Sequence, residues 1–248
     1  MGKVFLVASG KGGVGKTTVT ANLSAALSEQ NRVLVIDADL DLSNLDLTLG
    51  MRNRHVYDLQ DLYYRNCSFD DAALPVAGHP NLFALFAPLR REVPTVTLLK
   101  FLRNLVSEKR RVFDYIFIDC PAGIGPTLEE LADPRYETIL VTTPDRTAIS
   151  DGERAAEHLV RNNAGRVRLI VNRVRPALIK KNRAPNIDEI IDTTYLQLIG
   201  LIPEDINVIC AGNGDKLTYD LPKARSKKAF RNIALRLEGQ SVDLDKFS

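Results

Sequence analysis

The chain has 248 residues, of which 45% are hydrophobic and 26% are charged. Its 33 lysine and arginine residues nearly balance its 31 aspartate and glutamate residues, which gives a formal net charge of +2 at pH 7. This composition excludes a disordered chain, which would be poorer in apolar residues and more lopsided in charge. A net charge so near zero does not indicate a partner, so only local clusters of charge carry that information.

The cysteine content excludes a disulfide framework. The three cysteines, Cys67, Cys120 and Cys210, form no C-x-x-C pair, so a zinc or iron–sulfur site within this chain is also disfavoured. The longest apolar runs have the length of strands, and none is long enough to cross a bilayer. The first residues lead directly into a strand-like run without the pattern of a signal peptide. We therefore expect a protein of the reducing cytosol.

Apolar runs alternate with amphipathic segments along the whole chain. Strands are predicted at 3–9, 32–36, 81–87, 115–119, 138–142, 167–171 and 197–201, and helices at 16–29, 96–107, 147–161, 188–195 and 221–237. Strands that are apolar throughout, with helices between them, indicate parallel strands covered on both faces. We predict one α/β domain over residues 1–238, with a doubly wound, mostly parallel sheet flanked by helices, and a short acidic tail at 239–248 that is disordered.

The strongest motif follows the first predicted strand. Residues 10–17 read Gly-Lys-Gly-Gly-Val-Gly-Lys-Thr, which matches the P-loop pattern G-x-x-x-x-G-K-[ST] between a strand and a helix. Its glycines let backbone N–H groups surround phosphate oxygens, Lys16 reaches the β- and γ-phosphates, and Thr17 binds Mg²⁺. A glycine-rich turn without a ligand does not account for all eight matching positions. The predicted nucleotide-binding residues here are Gly10, Lys11, Gly12, Gly13, Val14, Gly15, Lys16, Thr17 and Thr18.

Acidic residues lie where two predicted strands end. Asp37 and Asp39 follow the second strand, and Asp119 ends the strand at 115–119 after four apolar residues. Ligands of open α/β sheets bind beyond the carboxyl ends of strands, so these carboxylates should lie near the P-loop. There they can support Mg²⁺ and orient an attacking water. The alternatives are a solvated acidic turn for the first two and a helix N-cap for Asp119.

A second lysine in the P-loop, Lys11, is not required by the general pattern. With it, K-G-G-V-G-K-T-T resembles the deviant P-loop of the MinD/ParA ATPases. The D-x-P-A-G-I stretch that begins at Asp119 resembles MinD and its flagellar relative more than the D-x-P-P form of plasmid-partition ParA proteins. The N-L-D-L stretch before Gly50 and the G-L-I-P-E-D stretch at 200–205 also resemble MinD. The resemblance covers residues 2–238, with the motifs in the expected order.

This resemblance implies a Mg²⁺-dependent ATPase that binds ATP and ADP and acts as a nucleotide-switched homodimer. It implies that hydrolysis is slow and stimulated by a protein partner, and that the role is positioning of the division septum. Lys11 would reach the nucleotide of the partner subunit, and Asp39 would orient the attacking water. The catalytic residues so implied are Lys11, Lys16, Asp39 and Asp119, the Mg²⁺ site is Thr17, Asp37 and Asp119, and the base contacts are Asn172, Arg173, Pro203, Glu204 and Asp205.

The end of the sequence departs from the family pattern. MinD proteins usually finish with an amphipathic helix that anchors the ATP-bound dimer to the membrane, whereas residues 239–248 include Asp243 and Asp245 and few bulky apolar residues. Such a tail repels anionic lipid, so the usual anchor is not evident.

The last predicted helix is strongly basic. Its basic residues include Lys223, Arg225, Lys227, Lys228 and Arg231. One interpretation is the solvated face of a packed helix. The other is a surface for DNA or for an anionic membrane, which would place the protein at the inner face of the cell membrane.

Two other functions of the same superfamily stay open at this point. A ParA-like DNA-partitioning ATPase is favoured by the basic last helix and disfavoured by the A-G-I sequence that follows Cys120-Pro121. A regulator of flagellar number or polar localisation would use the same ATPase as a timer. A metal-cluster carrier is disfavoured by the spacing of the cysteines.

Overall fold

The computed structural model describes residues 1–52, 54–214 and 216–244. The strands in this part of the chain are β1 (Lys3–Ala8), β2 (Val33–Asp37), β3 (Leu74–Val76), β4 (His79–Leu85), β5 (Tyr115–Asp119), β6 (Glu137–Thr142), β7 (Val167–Val174) and β8 (Gln197–Pro203). They form one sheet in the order β3-β4-β2-β5-β1-β6-β7-β8. All neighbouring pairs are parallel except β3 with β4. The predicted doubly wound, mostly parallel sheet is confirmed.

Helices cover both faces of this sheet. They are α1 (Lys16–Leu27), α2 (Leu45–Thr48), α3 (Leu59–Tyr64), α4 (Phe69–Ala72), α5 (Thr95–Lys109), α6 (Pro126–Leu131), α7 (Arg146–Arg161), α8 (Pro176–Lys180), α9 (Ile187–Thr194), α10 (Ile206–Asn213) and α11 (Ser226–Glu238). Successive strand residues face opposite sides. Leu6 therefore joins a core with Leu102 of α5, while Phe5 joins a second core with Leu23 of α1 and Ile233 of α11. Among the described residues, no helix combines the length and the apolar content needed to span a bilayer.

The strand order places the P-loop at the centre of the sheet. Strand β1 lies between β5 and β6, and the direction in which successive strands are added reverses there. Such a reversal opens a crevice at the carboxyl ends of the strands, where open α/β sheets bind their ligands. The loop that leaves β1 and the carboxylates that end β2 and β5 share this edge.

Several boundaries differ from the predicted ones. Strands β7 and β8 run to Val174 and Pro203, beyond the predicted ends at 171 and 201. The last helix starts at Ser226, five residues after the predicted start, because the chain turns at Pro222 and Lys223 after a short 3₁₀ turn at Thr218–Asp220. The short antiparallel strand β3 was missed, since three residues that include Pro75 show no strand pattern.

A glycine follows the last residue of the last helix. Helix α11 ends at Glu238, and Gly239 adopts a left-handed conformation with φ of 96°, a common way to end a helix. Residues 245–248 of the predicted tail lie outside the described residues, and the disorder of the tail stays a prediction.

Candidate nucleotide-binding site

The P-loop wraps around a buried anchor, Val14. This side chain is 4% exposed and belongs to the second core, between Gly13 and Gly15, whose φ angles are 80° and 90°. Within the described part of the chain, no acceptor takes the backbone N–H groups of residues 12–15. A row of unpaired N–H groups before the first turn of α1 is an anion-binding arrangement. The loop therefore fits a phosphate ligand.

The P-loop is pressed against the neighbouring helix α7. A Cβ atom on Gly10 would lie 2.0 Å from the carbonyl oxygen of Asp151. Only a residue without a side chain permits this backbone approach. The first glycine of the motif therefore packs the loop against α7.

Asp119 is the centre of the polar network under the loop. Lys16 Nζ lies 2.9 Å from Asp119 Oδ1, and Thr17 Oγ1 donates to Asp119 Oδ2 at 2.7 Å. Thr20, one turn further along α1, donates to Asp119 Oδ1 at 2.8 Å. The structure thus brings together three predicted residues and adds Thr20. Thr20 lies three residues after Thr17 on the same side of a helix, and this spacing was the sequence signal that could have identified it.

Asp37 lies beside Asp119 in the sheet and is fully buried. The two aspartates are paired in the β2–β5 register. Asp37 accepts hydrogen bonds from the backbone N–H of Asp39 at 2.9 Å, from Ser43 Oγ at 2.7 Å and from the backbone N–H of Leu45 at 3.2 Å. Burial, and then the negative charge of Asp119, raise the pKa of Asp37 to about 7.

This pair of carboxylates fits a hard cation. Two buried acids that repel each other, next to the Thr17 hydroxyl, supply the oxygen donors that Mg²⁺ prefers. A cation there would favour the charged form of Asp37, which burial and Asp119 now disfavour. The donors predicted for Mg²⁺ therefore lie together.

Asp39 and Lys11 lie further out at the mouth of the crevice. Asp39 is half-buried and accepts a hydrogen bond from the backbone N–H of Leu42 at 3.0 Å. The side chain of Lys11 is 46% exposed, and its Nζ donates to Thr147 Oγ1 at 2.5 Å and lies 3.9 Å from Asp145. Both contacts are at the start of α7 in the same chain. Asp145 and Thr147 show no motif in the sequence.

A cavity of about 460 Å³ continues from the P-loop. Lys11, Gly12, Gly13 and Val14 line one side of it, and Arg173, Arg175 and Glu204 lie among the lining residues from the ends of β7 and β8. The cavity is large enough for part of a nucleotide beyond its phosphates. Of the predicted base contacts, Arg173 and Glu204 line it.

The other predicted base contacts have different surroundings. Asn172 is 7% exposed and its Nδ2 donates to the backbone oxygen of Val14 at 2.8 Å. Pro203 pairs with Val174 at the end of β8. Asp205 caps α10 and accepts hydrogen bonds from the backbone and hydroxyl of Ser226. Burial alone would raise the pKa of Asp205, but these bonds and those from Asn207 lower it below its usual value.

Thr18, the last predicted residue of the loop, lies apart from this cavity. It is half-buried on α1 and lines a separate cavity of about 100 Å³ together with residues of α2 and α10. The structure therefore does not place Thr18 beside the cavity that continues from the P-loop.

An ion pair between Arg175 and Glu204 is part of the lining of the cavity that continues from the P-loop. The Arg175 guanidinium bonds both carboxylate oxygens of Glu204 and holds the pKa of that acid below its usual range. The backbone N–H of Glu204 also donates to the oxygen of Val174 at 3.0 Å. Sequence reasoning missed Arg175, because its contact with an acid 29 residues away depends on the pairing of β7 with β8.

Comparison with known proteins agrees with this geometry. The CbiA family model, described as the CobQ/CobB/MinD/ParA nucleotide-binding domain, matches residues 5–218. The septum site-determining protein MinD of Synechocystis is 40% identical over 244 residues, which are 98% of this chain and 91% of that protein. The chain belongs to the MinD family of nucleotide-binding proteins.

Solved MinD structures have the same fold. The chain matches the MinC:MinD cell division protein complex of Aquifex aeolicus with a TM-score of 0.88 and 30% identity, over 98% of each chain. It matches the septum site-determining protein MinD of Pyrococcus horikoshii, solved with Mg-ADP, with a TM-score of 0.83 and 28% identity, over 96% of each chain. As a member of the MinD family, the chain is a P-loop ATPase that acts in the positioning of cell division.

Proposed function

We propose that the chain is a slow ATPase whose ATP-bound homodimer, stimulated by a protein partner, positions the division septum. One observation carries this proposal: Lys16, Thr17, Asp37 and Asp119 converge under the P-loop, and an exposed second lysine, Lys11, stands at its mouth. A general P-loop ATPase uses the lysine and the threonine of the loop and one aspartate at a strand end, here Lys16, Thr17 and Asp119. An exposed lysine in the loop is suited to reach a nucleotide held by a facing copy.

The reaction is ATP plus water to ADP and phosphate, and the residues divide its tasks. Backbone N–H groups of residues 12–15 and the ammonium of Lys16 neutralise the phosphate oxygens in the transition state. Asp39 orients the attacking water from the half-buried edge of the crevice. Mg²⁺, when held near Thr17, Asp37 and Asp119, supplies further neutralisation of phosphate charge. Arg173 and Glu204 border the space available to the base.

The switch is the occupancy of the γ-phosphate position. Within the described ranges, the side chain of Lys11 is held by an exposed hydroxyl and an exposed acid, with Asp145 59% exposed, and such contacts are weak. A triphosphate on the facing subunit offers more negative charge than these groups. Hydrolysis removes that charge, and the dimer separates.

A partner protein and an anionic membrane surface complete the proposal. The Aquifex structure of the MinC:MinD complex supports a protein partner. In the last part of the chain, Lys223, Arg225, Lys228 and Arg231 are exposed. Lys227 is half-buried, with its Nζ 4.9 Å from the centre of the Tyr219 ring. Each basic residue near an anionic membrane contributes about 1 kcal/mol, so this patch favours a weak, reversible association.

Turnover and mass in solution test the central proposal. We expect ATP hydrolysis by the wild-type chain and a dimer in ATP but not in ADP, measured by phosphate release and light scattering. Lys16→Ala should lose nucleotide binding, and Lys11→Ala should bind ATP as a monomer. A Lys16→Ala variant with wild-type turnover would refute the site, and a Lys11→Ala variant that still dimerises would refute the proposed role of Lys11.

Sedimentation with vesicles tests the surface. We expect pelleting with anionic phospholipid vesicles in ATP, less in ADP, and none with zwitterionic vesicles. A salt-sensitive mobility shift of DNA in ATP, without vesicle binding, would assign the surface to DNA and favour the ParA-like alternative.

A further inference from the structure

Asn172 contacts the P-loop itself. Its Nδ2 donates a hydrogen bond of 2.8 Å to the backbone oxygen of Val14, in the middle of the loop. The side chain is 7% exposed, so water does not readily replace this bond. Loss of the Asn172 amide would therefore leave the backbone oxygen of Val14 buried without a hydrogen-bond donor.

Gly15, the next residue of the loop, leaves space for the side chain of Asn172. A Cβ atom on Gly15 would lie 2.4 Å from Asn172 Nδ2 and 3.7 Å from its Cγ. Gly15 also has a φ of 90°, which side chains strongly disfavour. The last glycine of the loop thus makes room for an amide that arrives from another strand.

The alternation of β7 aims Asn172 at the loop. Val171 belongs to the first core and Ile170 to the second, so Asn172 faces the side of Val14, which also belongs to the second core. A bulge follows. In the pairing with β8, Val171 faces Leu201 and Val174 faces Pro203, so β7 contains one residue more than its partner between these pairs. Arg173 absorbs the irregularity with a φ of 54°, a conformation that costs a non-glycine residue energy. Asn172 thus points inward to Val14, while Arg173, at the bulge, is exposed and lines the cavity that continues from the P-loop.

From this geometry we propose that Asn172 is a positioning residue that holds the P-loop in its phosphate-binding shape. The proposal rests on the proposed nucleotide function and assigns the residue a task at the phosphates instead of, or in addition to, the base. By fixing the oxygen of Val14, Asn172 fixes the peptide planes on either side of it. Those planes carry N–H groups of the loop that would surround a phosphate.

A ligand without a base separates this role from a base contact. We would measure the dissociation constants of ATP and of inorganic tripolyphosphate, both with Mg²⁺, for the wild type, Asn172→Ala and Asn172→Asp. The aspartate keeps the size of the side chain but replaces the donor by an acceptor. Loss of one hydrogen bond to a buried carbonyl should weaken both ligands by about tenfold, and by a similar factor for each. Arg173→Ala, at the neighbouring position that borders the space for the base, should weaken ATP more than tripolyphosphate, which is the pattern expected of a base contact.

Amide hydrogen exchange provides a second measurement. In Asn172→Asp, the peptide that covers residues 10–18 should exchange faster than in the wild type, while the peptide that covers α5 should not change. This comparison stays informative if Asn172→Ala does not fold.

The outcomes are distinct. Weakened binding of both ligands together with faster exchange of the loop supports the proposal. Weakened binding of ATP alone, with unchanged binding of tripolyphosphate, overturns it and makes Asn172 a base contact. A wild-type chain that binds neither ligand refutes the proposed nucleotide function itself, before any variant is compared.

Discussion

Replacement of Asp37 by asparagine should change how the stability of the protein depends on pH. Burial and the charge of Asp119 raise the pKa of Asp37 from 3.8 to about 7. Between these two values the folded chain holds a proton on Asp37 that the unfolded chain has released. Folding then takes up a proton, so the free energy of unfolding falls as pH rises.

The expected size follows from the same shift. The contribution of Asp37 changes by about 1.4 kcal/mol per pH unit. Over the interval of about three units, the wild type loses up to about 4 kcal/mol from this residue, and above pH 7 the loss is complete. In Asp37→Asn no proton is exchanged at this position, so the variant should lack this part of the slope.

Urea denaturation from pH 5 to pH 8, with a chelator and no nucleotide, measures the effect. The free energy of unfolding of the wild type should fall more steeply with pH than that of Asp37→Asn, although the two curves also differ by a constant offset from altered hydrogen bonds. Addition of Mg²⁺ should flatten the wild-type curve, because a cation favours the ionised carboxylate. Parallel curves for the two proteins would refute the raised pKa, and with it the reasoning about two facing buried acids.

Three further changes test other parts of the site. Gly10→Ala should lower the free energy of unfolding by about 1–3 kcal/mol in urea denaturation, because its Cβ would lie 2.0 Å from a carbonyl oxygen of α7. Gly12→Ala is the control, because the nearest atom to a Cβ there is 4.0 Å away. Equal losses of stability in the two variants would contradict the role of Gly10 in packing. Asp39→Ala should accumulate an ATP-bound dimer in size-exclusion chromatography, and a monomeric profile in ATP would refute its role with the attacking water. Glu204→Gln should speed release of a fluorescent ATP analogue by a few-fold in stopped-flow, since an exposed ion pair with Arg175 contributes about 1 kcal/mol or less. An unchanged release rate would show that this ion pair does not help to hold the nucleotide.

Local patterns were sufficient to predict the central part of the site. Lys16 and Thr17 follow from the P-loop pattern, and the positions of Asp37 and Asp119 follow from the rule that parallel strands end at one edge of the sheet. Each inference needs only the local sequence and the direction of one strand. The structure brings these four residues together.

Contacts between distant segments could not be predicted in this way. The ion pair of Arg175 with Glu204 requires that β8 lie beside β7. Charge and residue type are visible in the sequence, but the partner depends on strand order. Strand order is a property of the whole sheet.

Asn172 shows why even a correctly chosen position does not establish a role. Resemblance to the family points to this residue and to Arg173 as a pair that contacts the base. In a regular strand, neighbouring side chains point to opposite faces. Asn172 follows this alternation to the carbonyl of Val14, and the extra residue that follows in β7 leaves Arg173 at the cavity. Two adjacent residues therefore have different surroundings, which the pair of letters N-R does not show. Binding of a ligand without a base is the property that separates a role at the base from a role at the phosphates.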